Sequence, residues 1–419
     1  MQALATDAQA TPPAPTSWWR QAVIYHLLVD RFAAAATTLD PSRSRLPVFC
    51  GGTLDGVTRR LDYLRGLGVN TLWLSPVTAS AAYHGYHVLA YDRVEPRFGG
   101  ERAWDALMRA ARPDFRILLD WVPNHIHREH PFFQQAIADP HSPYREWFHF
   151  GRDGRPLCFL HFDELPKLNL DHPDVRSYLL GECKRWLDRG VDGFRMDHVV
   201  GPSMDFWRTF RADLKAHRPG VFLMGEATLM GVRREHLVTL RLPDKRRYFF
   251  EAQLGHDITD AVQAEYATVF DGVLDFGFRN LLCQRVARRA GPVNPGEVQA
   301  ALDAHYARFE WDACLPSFLD NHDVNRFLHE AKGRVDRLLE AAALQFLQPQ
   351  PPVIYYGTEL GLSHAHPVAG PYGDLHARPA MPWTGLNQEP GRSIRQRFQE
   401  LIAGWKRAFS RAPGDSLIK

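Results

Sequence analysis

The 419-residue chain contains no run of about 18 apolar residues, the length that a membrane-spanning helix needs. It also has little surplus of one charge, because 50 basic side chains face 48 acidic ones and leave a formal net charge of +2. Binding to nucleic acid or to an anionic membrane relies on clustered lysine and arginine, so we expect neither as a partner. The first twenty residues lack the basic segment followed by an apolar segment that is typical of a secretory signal peptide.

Cysteine is scarce, and its spacing excludes two common uses. The five cysteines form an odd set, which argues against a complete set of disulfides, and no two of them have the spacing of metal ligands. We therefore predict a reducing, cytoplasmic location. They are Cys50, Cys158, Cys183, Cys283 and Cys314.

Aromatic residues are plentiful, with 25 Phe, 13 Tyr and 11 Trp. Their flat apolar faces suit a large core and also suit stacking against sugar rings, and composition does not separate the two uses. With 45% hydrophobic and 23% charged residues, the chain has the composition of a globular protein of one or two domains.

Short apolar runs alternate with amphipathic stretches along the whole chain, which is the pattern of a parallel sheet built from βα units. Eight such units predict a (β/α)8 TIM barrel. An open doubly wound sheet is the alternative, but Asp30 and Arg31 stand where its glycine-rich phosphate turn would follow the first strand. The predicted strands are residues 23–29, 71–74, 115–120, 193–197, 222–225, 272–276, 317–319 and 353–356.

One irregular stretch, residues 125–172, is too long for an idle connection and is rich in proline and aromatic residues. We predict a short inserted domain there, after the third strand. The expected organisation is a flexible tail over residues 1–16, a first part of the barrel over 17–124, the insertion, and the rest of the barrel over 173–419.

Acidic residues end four of the predicted strands, where the chemistry of a TIM barrel takes place. They include Asp120, Asp197, Glu226 and Asp323. A single acidic residue at such a position is commonly a helix cap. Several that converge on one barrel mouth are hard to explain as caps, because close like charges repel one another.

Two of these carboxylates have contrasting surroundings. Arg195 precedes Asp197 by two residues, and the period of a strand places both on one face, so the guanidinium would keep Asp197 ionised. Glu226 ends an apolar strand, which would raise its pKa and favour the protonated acid. A carboxylate nucleophile and a carboxylic acid flanking one bond are the equipment of a retaining glycosidase.

The strand-end motifs stand in the order in which a known family carries them. They are residues 120–125 (DWVPNH), 193–197 (GFRMD), 225–226 (GE) and 319–323 (LDNHD), supported by residues 165–169 (LPKLN) and 352–359 (PVIYYGTE). This set resembles the α-amylase family of retaining α-glycosidases over nearly the whole chain. Residues 124–130 (NHIHREH) are closest to its neopullulanase and cyclomaltodextrinase branch.

The resemblance implies roles for individual residues. Asp197 would be the nucleophile, Glu226 the general acid/base, and Asp323 the third carboxylate, which binds sugar hydroxyls more strongly in the transition state. Asp120 would be structural and orient the arginine of the next motif. The residues implied in substrate binding are Tyr86 (by stacking under the sugar), His125, Arg195, His198 and His322.

The chain also departs from the family pattern. Val200 and Gly201 replace a usual Lys-His pair, which weakens the case for starch-type specificity. Asn124 resembles a calcium-binding asparagine, but calcium needs six to eight oxygen ligands and the sequence supplies one, so we expect no required cofactor and keep calcium as an option. We expect no C-terminal β-sandwich of the kind usual in the family, because only a few residues follow the last predicted helix, around residues 393–410.

The expected function is therefore hydrolysis of α-glucosidic bonds in maltooligosaccharides or related α-glucans through a covalent glycosyl-enzyme. Transglycosylation or isomerisation on the same scaffold is the alternative, since His198 resembles some transferase relatives. A non-catalytic barrel that serves as an interaction module is a third hypothesis, although all three carboxylates are retained. Whether the chain forms a homo-oligomer stays open.

Overall fold

The computed structural model describes residues 17–36, 38–160, 162–230, 232–255 and 257–409. The predicted flexible tail over residues 1–16 lies outside the described residues. Within these ranges no helix combines the length and the apolar character needed to cross a membrane.

Ten strands are present in the described part of the chain. Eight of them form the barrel, and two belong to the insertion. They are β1 Ile24–Leu27, β2 Thr71–Leu74, β3 Arg116–Trp121, β4 Cys158–Phe159, β5 Phe162–Pro166, β6 Gly193–Met196, β7 Phe222–Gly225, β8 Gly272–Val273, β9 Ser317–Phe318 and β10 Pro352–Tyr355.

The eight barrel strands pair in parallel in the order β8-β7-β6-β3-β2-β1-β10-β9. A further parallel bridge between Asp275 and Ser317 joins the two outer strands of that order and closes the ring. The predicted TIM barrel is confirmed, and all eight predicted strands lie where the apolar runs are. The strands β8 and β9 are shorter than predicted, at two residues each.

Helices follow the strands and cover the outside of the barrel. Those of the described residues are α1 Val29–Phe32, α2 Leu54–Arg59, α3 Leu61–Leu67, α4 Gly100–Ala111, α5 Pro131–Ala138, α6 Pro173–Asp188, α7 Met204–His217, α8 Lys245–Gln253, α9 Thr259–Ala267, α10 Phe276–Leu282, α11 Pro295–Tyr306, α12 Phe327–Glu330, α13 Val335–Leu347 and α14 Gly391–Phe409. Residues 54–67 form two helices, α2 and α3, because the backbone at Arg60 (φ −104°, ψ 6°) leaves the helical region.

Helix α7 illustrates how local sequence produces these elements. Ser203 caps its start by accepting a hydrogen bond from the amide of Phe206 at 3.1 Å. Phe206, Phe210 and Leu214 then recur every four residues and form a buried stripe that faces the sheet.

The period of two along each strand divides the core into two layers. Inward-facing side chains such as Trp73, Leu118 and Phe222 fill the barrel interior. Their strand neighbours Leu72 and Leu119 face the helices and join the larger apolar cluster outside the sheet. Buried strands on both faces explain why these segments read as continuous apolar runs.

The residues between β3 and α6 form a small substructure above the barrel mouth. It contains α5 and the antiparallel pair β4 and β5. A bridge between His125 and Lys167 ties the end of β5 back to the chain that leaves β3. The exact limits of the predicted domains remain predictions.

Candidate active site

Arg195 on β6 is the centre of a buried charge cluster. One of its terminal nitrogens donates to Asp120 Oδ1 at 2.9 Å and to Asp197 Oδ1 at 2.8 Å, and the other forms an ion pair with Glu226. The three carboxylates come from the ends of β3, β6 and β7, which are neighbours in the sheet. The expected pairing of Arg195 with Asp197 and the expected contact with Asp120 are both present.

One guanidinium contacts both Asp197 and Glu226, so the two carboxyl groups lie at the same part of the barrel mouth. Glycosidases place two carboxyl groups on either side of the bond that they cleave. The arrangement brings together the pair of groups that such chemistry needs.

Burial raises the pKa of both Asp197 and Glu226 above their ordinary values, and Arg195 opposes the rise at each. The charge of Glu226 further raises the pKa of Asp197. Burial thus outweighs Arg195 at both groups, so the expectation that the guanidinium alone keeps Asp197 ionised is not met. The sequence predicts contacts of the arginine with Asp197 and Asp120, and the structure adds Glu226 as a third carboxylate, because β7 also flanks β6.

The Arg195 side chain is 0% exposed, and its ion pairs go to these three carboxylates. Its guanidinium also lies over the rings of Trp73 and Tyr86. Its predicted role in substrate binding stays a prediction.

Asp323 lies on the opposite side of the mouth, just after β9. Its Oδ2 is 3.0 Å from His322 Nε2, and its Oδ1 accepts from Arg378 at 2.9 Å. Burial raises the pKa of Asp323, but His322 and Arg378 outweigh burial and hold that pKa well below its usual range. Asp323 is therefore a fixed negative charge.

Tyr86 connects the two halves of the cluster. Its hydroxyl donates to Asp120 Oδ2 at 2.8 Å and lies 2.7 Å from His322 Nε2. Its ring is parallel to that of His322, with centroids 5.2 Å apart. Trp73 of β2 donates to the same Asp120 oxygen at 3.0 Å. The stacking of Tyr86 on a sugar stays a prediction.

His125 and His198 lie on the side of the insertion. Phe159 of β4 stacks on His125 at 4.5 Å and contacts the ring of His198 edge-on at 4.7 Å. Burial lowers the pKa of His125 to about 3 and that of His198 well below its usual value, so both rings are neutral. The left-handed backbone of His198 (φ 45°) turns its amide toward Glu226 Oε2, to which it donates at 3.0 Å.

Sequence reasoning missed Arg378 and Trp73. Arg378 lies in the loop after β10, far along the chain from Asp323, and it also donates to the carbonyl of His322 at 2.8 Å. Its only local signal is Asp374 four residues earlier, with which it forms an ion pair. Trp73 lies on a predicted strand, and the alternation of side chains along that strand directs it into the barrel.

Asn124 was the candidate calcium ligand. Its Oδ1 is buried and has no recorded hydrogen-bond partner, which would suit a cation. However, the described residues contain no group of three or more His, Cys, Asp or Glu side chains arranged to hold a metal. Gly201 lies against Asn124 Oδ1, and its carbonyl accepts a hydrogen bond from the Lys167 ammonium at 2.8 Å. Calcium needs six to eight oxygens, so these residues do not fit it.

The chain matches the family described as alpha amylase, catalytic domain, over residues 26–400. It therefore belongs to the α-amylase family. The structure is also similar to that of the cyclic α-maltosyl-(1→6)-maltose hydrolase of Arthrobacter globiformis. The TM-score is 0.75 and the sequences are 26% identical, over 92% of this chain and 83% of that one.

Two relatives are similar in sequence. Alpha-amylase 2 of Dictyoglomus thermophilum is 32% identical over 378 residues, which are 89% of this chain and 61% of the relative. A cyclomaltodextrinase from a Bacillus species is 30% identical over 390 residues, 88% of this chain and 63% of the relative. The chain thus spans less than two thirds of their length. The second relative confirms the predicted resemblance to the cyclomaltodextrinase branch.

Proposed function

We propose that this chain is a retaining glycoside hydrolase that cleaves α-glucosidic bonds in maltooligosaccharides or related α-glucans. The observation that supports this most directly is the sharing of Arg195 by Asp197 and Glu226 at neighbouring strand ends. It places the proposed nucleophile and the proposed acid next to each other, and burial raises the pKa of Glu226, which favours the protonated acid.

In the first step, a carboxylate oxygen of Asp197 attacks the anomeric carbon while the glycosidic C–O bond breaks. Glu226 gives its proton to the departing oxygen. In the second step, the Glu226 carboxylate takes a proton from water, the water oxygen attacks the same carbon, and Asp197 leaves. Two displacements restore the original anomeric configuration.

Asp323 would stabilise the transition state of each step. His322 and Arg378 hold it ionised and fix both of its oxygens. A fixed carboxylate can bind the hydroxyls of the sugar more tightly as the ring flattens and gains positive charge. His125, His198 and Tyr86 are proposed contacts for the same sugar.

The similar proteins support one substrate class. The names alpha-amylase, cyclomaltodextrinase and cyclic α-maltosyl-(1→6)-maltose hydrolase all refer to α-linked gluco-oligosaccharides. The proposed substrate of this chain is accordingly an α-linked gluco-oligosaccharide.

The test is to separate the products formed from maltoheptaose, pullulan, cyclodextrin, sucrose and trehalose, and to follow the anomeric configuration of the first products by NMR. We expect shorter maltooligosaccharides from maltoheptaose, released in the α configuration. The variant Asp197→Asn is the matched control, because it keeps the shape of the side chain. Release of the β anomer, or no cleavage of any of these sugars, would contradict the proposal.

Transfer to a sugar hydroxyl is the second candidate, and one observation favours it. A mainly apolar cavity of about 320 Å³ is lined by Thr228, just beyond Glu226, and by Val324, just beyond Asp323, together with Phe276. Such a cavity offers an acceptor a place that is poor in water. Products longer than maltoheptaose in the same experiment would indicate transfer.

We also propose a cytoplasmic location, supported by the five cysteines, all of which are free. Neither calcium nor another cofactor enters the proposed mechanism. A homo-oligomer remains an open question.

A further inference from the structure

Lys167 is a buried lysine that the proposed mechanism does not use. The residue is 2% exposed, and it follows directly after β5. Its ammonium donates to the carbonyl oxygens of Gly201, at 2.8 Å, and of Thr239. Both recorded acceptors are backbone oxygens, so this ammonium is held by dipoles rather than by a carboxylate.

The three residues come from three separate loops above the barrel. Lys167 belongs to the insertion, Gly201 follows Asp197 by four residues, and Thr239 ends a 3-10 helix in the loop that follows Glu226. One ammonium therefore links the insertion to both loops that lead away from the two proposed catalytic carboxylates.

Asn124 adds a fourth group to this location. Its Oδ1 is buried without a recorded hydrogen-bond partner. It lies so close to Gly201 that a Cβ built on that glycine would be 2.1 Å from it. A side chain at position 201 would meet this oxygen, and the carbonyl of the same glycine accepts a hydrogen bond from Lys167. Asn124 Oδ1 and the ammonium thus both lie against Gly201, one beside its α-carbon and the other at its carbonyl oxygen.

We propose that the Lys167 ammonium is a built-in cation that replaces a divalent ion at this location. An ammonium supplies one positive charge and three N–H donors, which suits a few neutral oxygens. A calcium ion would need six to eight oxygens with carboxylates among them, and Asn124, Gly201 and Thr239 supply three neutral ones. The insertion and the two loops are therefore joined without a metal.

The test compares the melting temperature of the wild-type protein in EDTA and in excess calcium chloride, below neutral pH so that the ammonium is charged. We expect the two wild-type values to agree. Lys167→Met should melt about 2 to 5 °C lower in both conditions, because two buried carbonyls lose their donor. Lys167→Asp, which replaces the cation by an oxygen ligand, should be destabilised in EDTA and regain stability in calcium.

Lys245→Met is the matched control. Lys245 donates to one carbonyl, that of Leu240, at 2.6 Å, is only half-buried, and lies close to the same loop. We expect its melting temperature to stay within about 1 °C of the wild type and to be indifferent to calcium.

Three results would overturn the proposal. They are a rise in the wild-type melting temperature with calcium, a Lys167→Met variant as stable as the wild type, and a Lys167→Asp variant that ignores calcium. If the variants do not fold, calorimetric titration of the wild-type protein with calcium chloride decides. A saturable heat of calcium binding would refute the proposal, because Lys167 should prevent that binding. The absence of a binding heat would support it.

Discussion

Arg378 offers the sharpest test of how the proposed site depends on its surroundings. Replacing it by Met removes the guanidinium but keeps most of the buried aliphatic volume. Asp323 then loses one of its two partners, while His322 stays 3.0 Å from its other oxygen. The carbonyl of His322 loses a donor as well.

The magnitude follows from the exposure of the pair. A hydrogen bond to a charged group contributes about 1.5–3 kcal/mol net, and the Asp323 side chain is 31% exposed, which reduces the value through solvent screening. We therefore expect a loss of about 1–2 kcal/mol of transition-state stabilisation. This corresponds to a fall of about 5- to 30-fold in kcat/KM.

The assay is the pH profile of kcat/KM on the best maltooligosaccharide. Arg378 lowers the pKa of Asp323, so its removal raises that pKa, and the acidic limb of the profile should move to higher pH. The matched control is Arg337→Met on α13. Arg337 is similarly buried and bonds a carboxylate and a carbonyl, but it lies outside the site. An unshifted profile with kcat/KM within twofold of the wild type would refute the reasoning.

Three further predictions follow from the same geometry. Asp197→Asn should lower kcat by about three orders of magnitude or more with an unchanged melting temperature, and appreciable turnover would remove Asp197 as the nucleophile. Glu226→Gln should lower kcat/KM about 10²- to 10⁴-fold on maltooligosaccharides but far less on activated aryl glycosides, and equal losses would place the acid elsewhere. His305 stabilises the fold from outside the site: burial lowers its pKa, but hydrogen bonds to Asp260 and Asp275 outweigh burial and raise that pKa to about 10. The loss of melting temperature in His305→Gln should therefore be largest below about pH 6.5 and should shrink as the pH rises through about 10. A loss that does not depend on pH would contradict a role for the protonated His305.

The barrel was predictable because its signals are local. Each strand is a short apolar run, and helices such as α7 have their own cap and buried stripe, so neither signal depends on distant residues. The contact between Arg195 and Asp197 was also predictable, because a period of two along one strand decides it.

The remaining contacts of the site depend on closure of the ring. Arg195 shares its charge with Asp120 and Glu226 because β3 and β7 are the neighbours of β6, and strand order is not a local property of the chain. Arg378 reaches Asp323 from a loop 55 residues away. No periodicity in the sequence carries that information.

The sequence by itself determined the eight βα units, the strand-end carboxylates and the resemblance to the α-amylase family, because apolar periodicity and short motifs are written in consecutive residues. The tertiary structure alone decided how charge is distributed among those carboxylates. It also placed the Lys167 ammonium on the carbonyl of Gly201, a residue that lies against Asn124, for which the sequence had suggested calcium. Protonation and cation choice depend on burial and on the distances between loops, and both quantities exist only once the barrel has closed.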